Sequence, residues 1–540
     1  MQNLVSRLES MHIYGDEDNG EPKGEVVNYD LSCVSNAISN TNIVVVEPSC
    51  YEEACSNGVW MQAMKEEIDA IERNQTWELC KLPKGKKLVG SKWVYKTKCK
   101  SDGSVERYKA RLVVKGFTQR YGVDFEETFA PVARQETIRM ALSLAASKGW
   151  TVQHMDVKSA FLNGDINEEV YVAQPQGFEV SGREDHVYKL KKALYGLKQA
   201  PRAWYTRIDG YFKSVGFQRS VSEPTLYFKK SATDILIVCL YVDDLIFMGS
   251  NKKMNDEFKT HMMAEFDMKD LGLMSYFLGL EVHQTQDEIF VCQSKYARDM
   301  LRRFKMDNCT PVATPTAHGE HFCKEDGEQK VDKKQYRSIV GSLMFLTNTR
   351  PDLQFSVSLV ARYMSDPSAV HLKVAKRILR YVKGTIDFGI HYTCNSKLQL
   401  TGFSDSDWGS DLDDRKSTSG NCFSLGSGLI SWSSRKQSTV ALSSTEAEYV
   451  AVTSASTQAL WLRKVLREIG EEKTQATTIF CDNQSAIKLA HNPIHHSRTK
   501  HFDLKTHFIR DLVEKGLIKL RYCPTQEQVA DIFTKSVAKS

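Results

Sequence analysis

One apolar stretch of this chain is interrupted by two adjacent acids, and this interruption limits what the stretch can form. Ile235–Tyr241 is almost entirely apolar, Asp243 and Asp244 follow closely, and a second apolar run starts at Leu245. Carboxylates are costly in apolar surroundings unless a partner neutralises them, and adjacent ones repel each other. A divalent cation relieves both costs and serves phosphoryl and nucleotidyl transfer. A hairpin with Asp-Asp in its tight turn explains the same residues, because Asp suits turns.

Length and composition predict several packed domains. At 540 residues the chain has room for about three to four of them, and 41% of its residues are hydrophobic. No run approaches the ~20 apolar residues of a membrane span, and the first residues lack a signal peptide's apolar block. We therefore expect no membrane partner. The 13 cysteines occur singly, without a CxxC pair, which indicates reduced intracellular thiols.

Charge is distributed unevenly along the chain. Residues 1–80 carry 4 Lys/Arg against 15 Asp/Glu, whereas residues 81–120 carry 13 against 2. The basic segment is interleaved with aromatic residues in strand-like order: Trp93, Tyr95, Tyr108 and Phe117. A basic segment is usually a solvated surface. Positive charge combined with stacking faces is, however, also the composition of a nucleic-acid groove.

Apolar periodicity and turn residues predict the order of the elements. In the first part we expect an acidic disordered linker at 1–47, helices at 51–74 and 136–148, strands at 92–98, 107–115 and 152–157, and a hairpin at 235–249. Residues 309–335 have the composition of a linker, and helices dominate 336–383. From about residue 396 we expect strands at 398–403, 418–424, 429–433 and 478–481, helices at 445–469 and 484–490, and a final strand and helix. This last pattern is typical of a separate α/β domain.

A further predicted strand ends on an acid, Asp156. An acid at a strand end is often only a helix cap. If this strand lies beside the one that carries Asp243 and Asp244, their acids can hold two metal ions about 3.5–4 Å apart. Such a site would activate a primer 3′ hydroxyl and stabilise the leaving pyrophosphate.

The C-terminal part offers a second set of acids near predicted strand ends and helix starts. They lie in the segments 404–409, 443–449, 480–483 and 529–532. Asp405 and Asp407 share a face of an extended strand, and Asp405 is preferred because it directly follows the apolar run. Glu446 and Glu448 are about 200° apart on a helix. Only Glu448 heads the apolar stripe that must pack on the sheet.

Four motifs together resemble the polymerase motifs of copia-type LTR-retrotransposon reverse transcriptases. They are Lys109-Ala-Arg-Leu-Val-Val-Lys-Gly116, Asp156-Val-Lys-Ser-Ala-Phe161, Leu194-Tyr-Gly-Leu-Lys-Gln-Ala-Pro-Arg-Ala-Trp204 and Tyr241-Val-Asp-Asp244. The resemblance extends from about residue 48 to the C-terminus. It implies an α/β and α+β multidomain chain, in which a right-hand polymerase of fingers, palm and thumb precedes a ribonuclease-H-like α/β domain.

The resemblance also implies domain boundaries. The acidic linker 1–47 is followed by a reverse transcriptase at 48–308, which holds fingers, palm and the start of the thumb. Residues 309–395 are a linker and a helical thumb or connection region, and 396–540 form the ribonuclease H domain. Nothing in the chain resembles a protease, an integrase or a nucleocapsid zinc knuckle, so we expect the C-terminal part of a polyprotein or a truncated copy.

For the polymerase site, the resemblance assigns roles position by position. Asp156 and Asp243 are the principal metal ligands, and Asp244 is the third acid. Phe161 lies under the sugar, where its ring would clash with a 2′ hydroxyl and so selects deoxynucleotides. Gln199 touches the incoming nucleotide. A plain core aromatic is the alternative reading of Phe161.

Two cations and one hairpin complete the expected polymerase residues. Arg111 contacts the triphosphate, with Lys92 as a second cation, although a register shift of one residue would change which side chains face the site. Residues 277–281 resemble the primer-grip hairpin, and a structural hairpin explains them equally well.

For the second set, the resemblance to ribonuclease H implies four metal-binding carboxylates: Asp405, Glu448, Asp482 and Asp531. They would bind two Mg²⁺ ions and position water to attack an RNA phosphodiester. The segment before Asp531 lacks the histidine that many cellular ribonucleases H carry. A His-rich stretch at 491–507 has zinc-like spacing but no Cys partners, so we expect surface or packing roles there.

The implied function is RNA- and DNA-directed DNA synthesis coupled to removal of RNA from the RNA–DNA hybrid. Each site would use two Mg²⁺, with Mn²⁺ as a substitute. The expected partners are an RNA template, a DNA or tRNA primer, the hybrid, deoxynucleoside triphosphates and other parts of the polyprotein. The expected location is intracellular: the cytoplasm and virus-like particles, with later nuclear access. The competing hypotheses are an inactivated or domesticated nucleic-acid-binding relic and another polymerase lineage.

Overall fold

The computed structural model describes residues 47–99, 104–320, 322–471, 475–491 and 503–536. Its helices are α1 (Tyr51–Cys55), α2 (Gly58–Arg73), α3 (Gln135–Lys148), α4 (Ala200–Ser214), α5 (Lys252–Glu265), α6 (Ser294–Arg303), α7 (Lys333–Leu346), α8 (Gln354–Ala361), α9 (Ala369–Gly384), α10 (Ser444–Glu468), α11 (Gln484–His491) and α12 (Asp503–Glu514). Short 3₁₀ helices lie at Gly116–Thr118, Ala160–Asn163, Pro351–Leu353, Thr525–Glu527 and Val529–Phe533.

The first twelve strands are β1 (Trp77–Lys81), β2 (Leu88–Val89), β3 (Ser91–Cys99), β4 (Val105–Val114), β5 (Gln153–Val157), β6 (Tyr171–Val172), β7 (His186–Leu190), β8 (Gln218–Arg219), β9 (Leu226–Lys230), β10 (Ile235–Tyr241), β11 (Asp244–Gly249) and β12 (Met268–Leu273). The remaining strands are β13 (Tyr276–Phe277), β14 (Leu280–Gln284), β15 (Glu288–Cys292), β16 (Gly389–Thr393), β17 (Leu400–Ser406), β18 (Thr418–Leu425), β19 (Gly428–Lys436), β20 (Thr477–Cys481) and β21 (Ile518–Tyr522). None of the described helices has the length and apolar character needed to cross a membrane.

The chain folds into two units that are interleaved along the sequence. The first unit contains the described residues of 39–134 and 152–274, and the second contains those of 135–151 and 275–540. The first unit holds a six-stranded sheet of order β12-β5-β11-β10-β9-β8, a four-stranded sheet of order β1-β7-β6-β2, and the hairpin β3-β4. Helices α4 and α5 pack their apolar faces against the six-stranded sheet through Trp204, Phe212 and Phe258.

The β3–β4 hairpin separates the basic residues from the aromatic ones. Cross-strand partners share a face, so the register Lys96↔Lys109 and Lys98↔Arg107 places cations on one face. The other face carries Tyr95 and Tyr108, which make edge contacts with Trp60 of α2 at 5.4 and 4.9 Å between ring centroids.

The predicted groove of interleaved charges and stacking aromatics is therefore wrong in one respect. Trp93 and Tyr95 are 8% and 4% exposed and belong to the core beneath the hairpin. Alternation along a strand sends neighbouring side chains to opposite faces, so the aromatics support the hairpin rather than stack on bases. Phe117, which follows β4, is 73% exposed.

The second unit combines a helical cluster with two sheets. Helices α6, α7, α8 and α9 pack around Tyr336, Leu343, Ile378 and neighbouring apolar residues. One sheet has the order β13-β14-β15-β16, and the other has the order β19-β18-β17-β20-β21. In the latter, β17, β18 and β19 are antiparallel, whereas β20 runs parallel to both β17 and β21. Helix α10 packs across β17, β18 and β20.

The element predictions are confirmed except at the two ends of the described chain. The predicted final strand and helix are wrong in order, because α12 precedes β21 and the described residues after β21 form only 3₁₀ helices. The predicted helix at 51–74 is two helices, because the chain breaks after α1 and Asn57 caps α2 by accepting a hydrogen bond from Val59 N. The mixed α/β character and the separate C-terminal α/β arrangement are present. The acidic segment 1–46 and most of the His-rich stretch, at 492–502, lie outside the described residues.

Candidate active sites

The first acidic site is built by pairing two strand ends of the six-stranded sheet. β5 and β11 are antiparallel, and Asp156 stands opposite Asp244 in their register. Directly opposed residues in such a pair have Cα atoms about 4.5–5.5 Å apart, so the two side chains are immediate neighbours. Asp243 lies in the turn between β10 and β11, and its carbonyl accepts a 2.8 Å hydrogen bond from Val157 N.

The turn that carries these acids has a strained backbone, and a hydrogen bond from a residue outside the turn holds it in place. Val242 has φ of +54°, in the left-handed region that β-branched residues avoid. Its carbonyl accepts a 2.6 Å hydrogen bond from Trp204 Nε1, on the buried face of α4. Strained backbone persists where its surroundings fix it, and such strain clusters at functional sites.

The electrostatics of this site favour a bound cation. Burial, followed by repulsion from Asp244 and Asp243, raises the pKa of Asp156 to about 6. Burial and then Asp244 raise the pKa of Asp243 above its ordinary value, whereas Arg111 acts in the opposite direction. The ionised forms of Asp156 and Asp243 are therefore destabilised. A divalent cation bound between the two carboxylates would stabilise these forms.

Two residues near these acids were missed by the sequence reasoning. His154 Nε2 lies 3.2 Å from Asp244 Oδ1 and is two residues before Asp156 on the same strand. Burial and repulsion by Arg111 and Arg107 lower the pKa of Lys109 to about 8, whereas the Asp156 charge raises it. Lys109 could have been predicted from the sequence. Residues i and i+2 share a face of a strand, so Lys109 faces the same way as Arg111, which is an expected site residue.

The predicted nucleotide-binding residues converge only in part. Phe161, on the 3₁₀ helix after β5, packs its ring 4.9 Å from that of Tyr195. The Arg111 guanidinium lies over the same tyrosine ring at 4.4 Å from its centroid. The Tyr195 hydroxyl is buried and has no hydrogen-bond partner in the described part of the chain. Tyr195 is thus a further residue missed by the sequence reasoning, although it stands inside the motif at 194–204.

Gln199 and Lys92 occupy different surroundings. Gln199 is 3% exposed, accepts a hydrogen bond from Gln119 Nε2 and donates one to Asp124 O, each at 3.0 Å. Its amide is therefore engaged inside the protein, and a contact with a nucleotide stays a prediction. Lys92 is exposed on the basic face of the β3–β4 hairpin, opposite Val113.

The second acidic site forms at one edge of the five-stranded sheet. Asp405 is near the end of β17, and Asp482 directly follows β20. Strands β17 and β20 are parallel neighbours. Parallel neighbours end at the same edge, so their terminal acids meet there. Glu448 comes from the first turns of α10, whose N-cap Ser443 accepts a hydrogen bond from Glu446 N, and Asp531 lies in the last 3₁₀ helix.

These four acids are close enough to share cations. Carboxylate oxygens of Asp405, Asp482 and Asp531 lie within 4.8 Å of one another, and Glu448, Asp482 and the thiol of Cys481 form a second such group. Burial, with repulsion from Asp405 and Asp482, raises the pKa of Glu448 to about 9. Burial raises the pKa of Asp405 to about 6.

The residues of this second site fit a divalent metal. Asp531 Oδ1 is buried, and the group beside it is already a cation, the ammonium of Lys535 at 2.9 Å. Carboxylate oxygens are the ligands that Mg²⁺ prefers in proteins. The first site differs, because among the described residues Asp156, Asp243 and Asp244 do not form a group whose oxygens all lie within 4.8 Å.

Asp407 and Glu446, the alternatives to Asp405 and Glu448, are each engaged in a local hydrogen bond of the backbone. Asp407 accepts hydrogen bonds from Thr418 N, at 2.6 Å, and from the Ser410 hydroxyl, so it organises a turn. Glu446 accepts a hydrogen bond from Leu442 N at 2.8 Å and thereby closes the start of α10. Glu448 is 6% exposed and faces the sheet.

A third group of possible ligands lies on the sheet β13-β14-β15-β16. It consists of Glu281, His283 and Cys292. Glu281 Oε1 already accepts a 2.6 Å hydrogen bond from Lys295 N, and Cys292 Sγ accepts one from the Ser294 hydroxyl at 3.5 Å.

Residues 277–281 do form a hairpin, between β13 and β14.

The comparisons with known proteins identify the family. Residues 74–318 match the family described as reverse transcriptase (RNA-dependent DNA polymerase). The chain is 42% identical over 507 residues to the retrovirus-related Pol polyprotein from transposon TNT 1-94 of Nicotiana tabacum, covering 92% of this chain and 38% of the relative. It is 36% identical over 299 residues to a transposon Ty5-1 protein of Saccharomyces cerevisiae, covering 55% of this chain and 97% of the relative.

The chain therefore belongs to the reverse transcriptase family, among the Pol polyproteins of copia-type retrotransposons, and the predicted resemblance is confirmed. It spans 38% of the length of the tobacco polyprotein. A crystal structure of LC11-RNase H1 in complex with RNA/DNA hybrid aligns with 25% of this chain and 94% of that chain, at 10% identity and a TM-score of 0.20. Similarity at that level does not establish a shared fold, so the second site rests on its own residues.

Proposed function

We propose that the first unit synthesises DNA on RNA and DNA templates. The observation that carries this proposal is the cross-strand pair of Asp156 and Asp244, with Asp243 in the adjoining turn. When Mg²⁺ or Mn²⁺ is bound, it supplies charge stabilisation for nucleotidyl transfer. Asp156 and Asp243 hold the ions, and Asp244 completes the acidic set. Membership of the reverse transcriptase family supports this assignment.

The surroundings of these acids support nucleotide binding. The triphosphate lies near Lys109 and Arg111, whose charges act on Asp156 and Asp243 respectively. Phe161 contacts the sugar and excludes a 2′ hydroxyl. Lys92 and the other cations of the hairpin's basic face contact phosphates of the template, primer or incoming nucleotide.

We propose that the second site hydrolyses RNA in the RNA–DNA hybrid. Asp405, Glu448, Asp482 and Asp531 hold two divalent ions and orient the attacking water. The clustered carboxylate oxygens of Asp405, Asp482 and Asp531 and the raised pKa values of Asp405 and Glu448 support a metal-binding role. The hybrid is recognised by its backbone shape and 2′ hydroxyls, so cleavage is independent of sequence.

The proposed architecture follows the family. Fingers, palm and the start of the thumb occupy 48–308, a linker and helical thumb or connection region occupies 309–395, and the ribonuclease H domain occupies 396–540. The partners are an RNA template, a DNA or tRNA primer, deoxynucleoside triphosphates and other parts of the polyprotein. The protein acts in the cytoplasm, inside virus-like particles, with later access to the nucleus.

Primer extension by the purified chain tests the polymerase proposal. With Mg²⁺ present, we expect extension on RNA and DNA templates, and a loss of ~100-fold or more in Asp156→Asn. Asp267→Asn is the control, because Asp267 is an exposed acid of the same unit that pairs with Lys158 at 2.7 Å. An inactive parent chain would contradict the proposal and favour the nucleic-acid-binding relic.

Degradation of hybrid RNA tests the nuclease proposal. We expect Asp405→Asn to abolish cleavage, because it removes a metal-binding charge. Asp407→Asn retains cleavage, since the asparagine oxygen can still accept from Thr418 N and its amide NH2 can donate to the Ser410 hydroxyl, which turns to accept. The opposite pattern would show that Asp407 is the metal ligand.

A further inference from the structure

A lysine follows the last acid of the second site and pairs with it. Lys535 Nζ lies 2.9 Å from Asp531 Oδ1, with the two side chains 49% and 26% exposed. Asp531 Oδ1 is itself buried, so the ammonium lies within hydrogen-bond distance of a carboxylate oxygen that solvent does not reach.

The same lysine acts on the other acids of the site. Its charge lowers the pKa values of Asp405 and Glu448, and Asp405, Asp531 and Asp482 raise the pKa of Lys535 against the effect of its burial. One ammonium group thus faces several carboxylates that would otherwise only repel one another.

The preceding residue fixes the segment on the sheet. Thr534 is 2% exposed, and its hydroxyl donates a hydrogen bond to Asp405 Oδ2. Thr534 N also donates to Asp531 O at 3.1 Å, and Lys535 N does the same at 3.1 Å. The backbone at Lys535 is therefore fixed relative to two acids, Asp405 and Asp531, and its side chain starts beside the place where a cation would bind.

We infer that Lys535 is an internal counter-ion of the second acidic site, which neutralises the acids in the metal-free chain and competes with divalent metal for them. This inference rests on the proposed nuclease site. An ammonium with a long flexible stem suits the role, since it can withdraw towards solvent when a divalent ion enters. Lys535 is accordingly a positioning residue, which sets the metal affinity of the acids that it contacts.

Removal of the competing charge strengthens metal binding. We expect the dissociation constant for Mg²⁺ to fall roughly three- to tenfold in Lys535→Met, since a positive charge next to the ion is lost and solvent screens part of it. Lys535→Arg keeps the charge and retains the parent affinity within about twofold. Lys535→Gln is a second neutral variant in case Lys535→Met does not fold.

Lys515 provides a matched control. It forms an i,i+4 ion pair with Asp511 at 2.8 Å, with side chains 62% and 52% exposed, and is chemically the same pair as Lys535 with Asp531. Asp511 is not among the acids of the second site, so Lys515→Met leaves Mg²⁺ affinity unchanged.

Calorimetric titration of Mg²⁺ into the full chain measures these affinities without relying on activity. All variants carry Asp243→Asn, which silences the first site, and Asp482→Asn identifies the heat that belongs to the second. An unchanged or weaker Mg²⁺ affinity in both neutral variants of Lys535 overturns the inference. If Asp482→Asn changes no binding heat, the acids hold no metal and the proposed nuclease site fails with it.

A second readout separates competition with metal from contact with substrate. If Lys535 instead binds a phosphate of the hybrid, Lys535→Met weakens hybrid binding and leaves the Mg²⁺ dissociation constant unchanged. Hybrid affinity measured in Ca²⁺ reports any contact between Lys535 and a phosphate of the hybrid. Ca²⁺ also binds carboxylate oxygens, at longer distances than Mg²⁺. We expect no loss of hybrid affinity, and a loss without a change in Mg²⁺ binding contradicts the inference.

Discussion

Asp156 and Asp244 stand directly opposite each other on the neighbouring antiparallel strands β5 and β11. The two residues are 88 positions apart in the sequence, yet sheet pairing makes their carboxylates immediate neighbours. The turn that contributes Asp243 adds the third charge. This arrangement gathers three carboxylates at one end of an apolar sheet, and the proposed polymerase activity depends on the geometry of the short turn between β10 and β11.

The hydrogen bond from Trp204 to the strained turn is predicted to maintain polymerase activity. Trp204→Phe removes the donor to Val242 O and should lower stability by about 1–3 kcal/mol, with a larger loss of kcat than of template affinity. Chemical denaturation and steady-state kinetics measure the two effects.

Trp93→Phe is the control for that substitution. Trp93 is also buried in the first unit, and its Nε1 donates to Gln176 O at 3.2 Å, away from the turn. It should lose comparable stability and keep kcat. Equal losses of kcat in the two variants would assign the effect to general destabilisation.

Tyr195 is predicted to contribute to nucleotide binding. Among the described residues its buried hydroxyl lacks a hydrogen-bond partner, and its ring contacts both Phe161 and Arg111, so Tyr195→Phe should raise KM for deoxynucleotides about three- to tenfold. Steady-state titration with each deoxynucleotide measures the change. Tyr188→Phe, a buried tyrosine stacked on Trp77, should leave KM unaltered, and equal KM values in both variants would exclude Tyr195 from the nucleotide site.

Phe161 is predicted to discriminate between sugars. Phe161→Val opens space near the acids, so the preference for deoxynucleotides over ribonucleotides, expressed as a ratio of kcat/KM values, should fall ~10-fold or more. Phe178→Val is the control, because Phe178 is likewise partly buried against the same core. An unchanged ratio in Phe161→Val would make Phe161 a plain core residue.

The metal-free chain is predicted to lose stability as pH rises. Burial and mutual repulsion raise the pKa of Glu448 from 4.5 to about 9, and burial raises that of Asp405 from 3.8 to about 6. The folded chain therefore binds protons that the unfolded chain has already released between these values, so ionisation at higher pH favours unfolding. In chelator, Tm should fall from about pH 5 to about pH 8.

Glu448→Gln tests the source of that pH dependence. The substitution removes the titrating group, so the decrease of Tm with pH in chelator should become smaller, whereas exposed Glu514→Gln should retain the full decrease. Mg²⁺ binds the ionised carboxylates and should restore Tm at the higher pH in the parent chain. An identical pH profile in Glu448→Gln and the parent would contradict the assignment.

Local patterns were sufficient to predict many of the elements and to identify candidate acids near their ends. Strand ends that carry Asp156, Asp405 and Asp482 could be located because apolar alternation stops at each of them. The orientation of Glu448 towards the sheet followed from helical geometry. The family resemblance ordered these elements into two candidate sites.

Contacts between distant segments could not be predicted in the same way. Helix α3 belongs to the second unit, where the buried Arg139 donates hydrogen bonds to Ile430 O and Asn348 O, both at 2.8 Å, and its guanidinium lies 3.9 Å from the centroid of the Trp432 ring. The ring partners of Tyr195, Phe161 and Arg111, likewise come from separate elements. No single-segment pattern records which distant strand or helix a side chain will meet.

The most direct test of two separate sites uses one RNA template and one DNA primer that carry different labels. Primer length reports synthesis, and template length reports hybrid cleavage, in the same reaction with Mg²⁺. We predict that Asp243→Asn abolishes extension but still cleaves a preformed hybrid, whereas Asp482→Asn extends the primer and leaves the template intact. Loss of both activities from either single substitution would contradict the account.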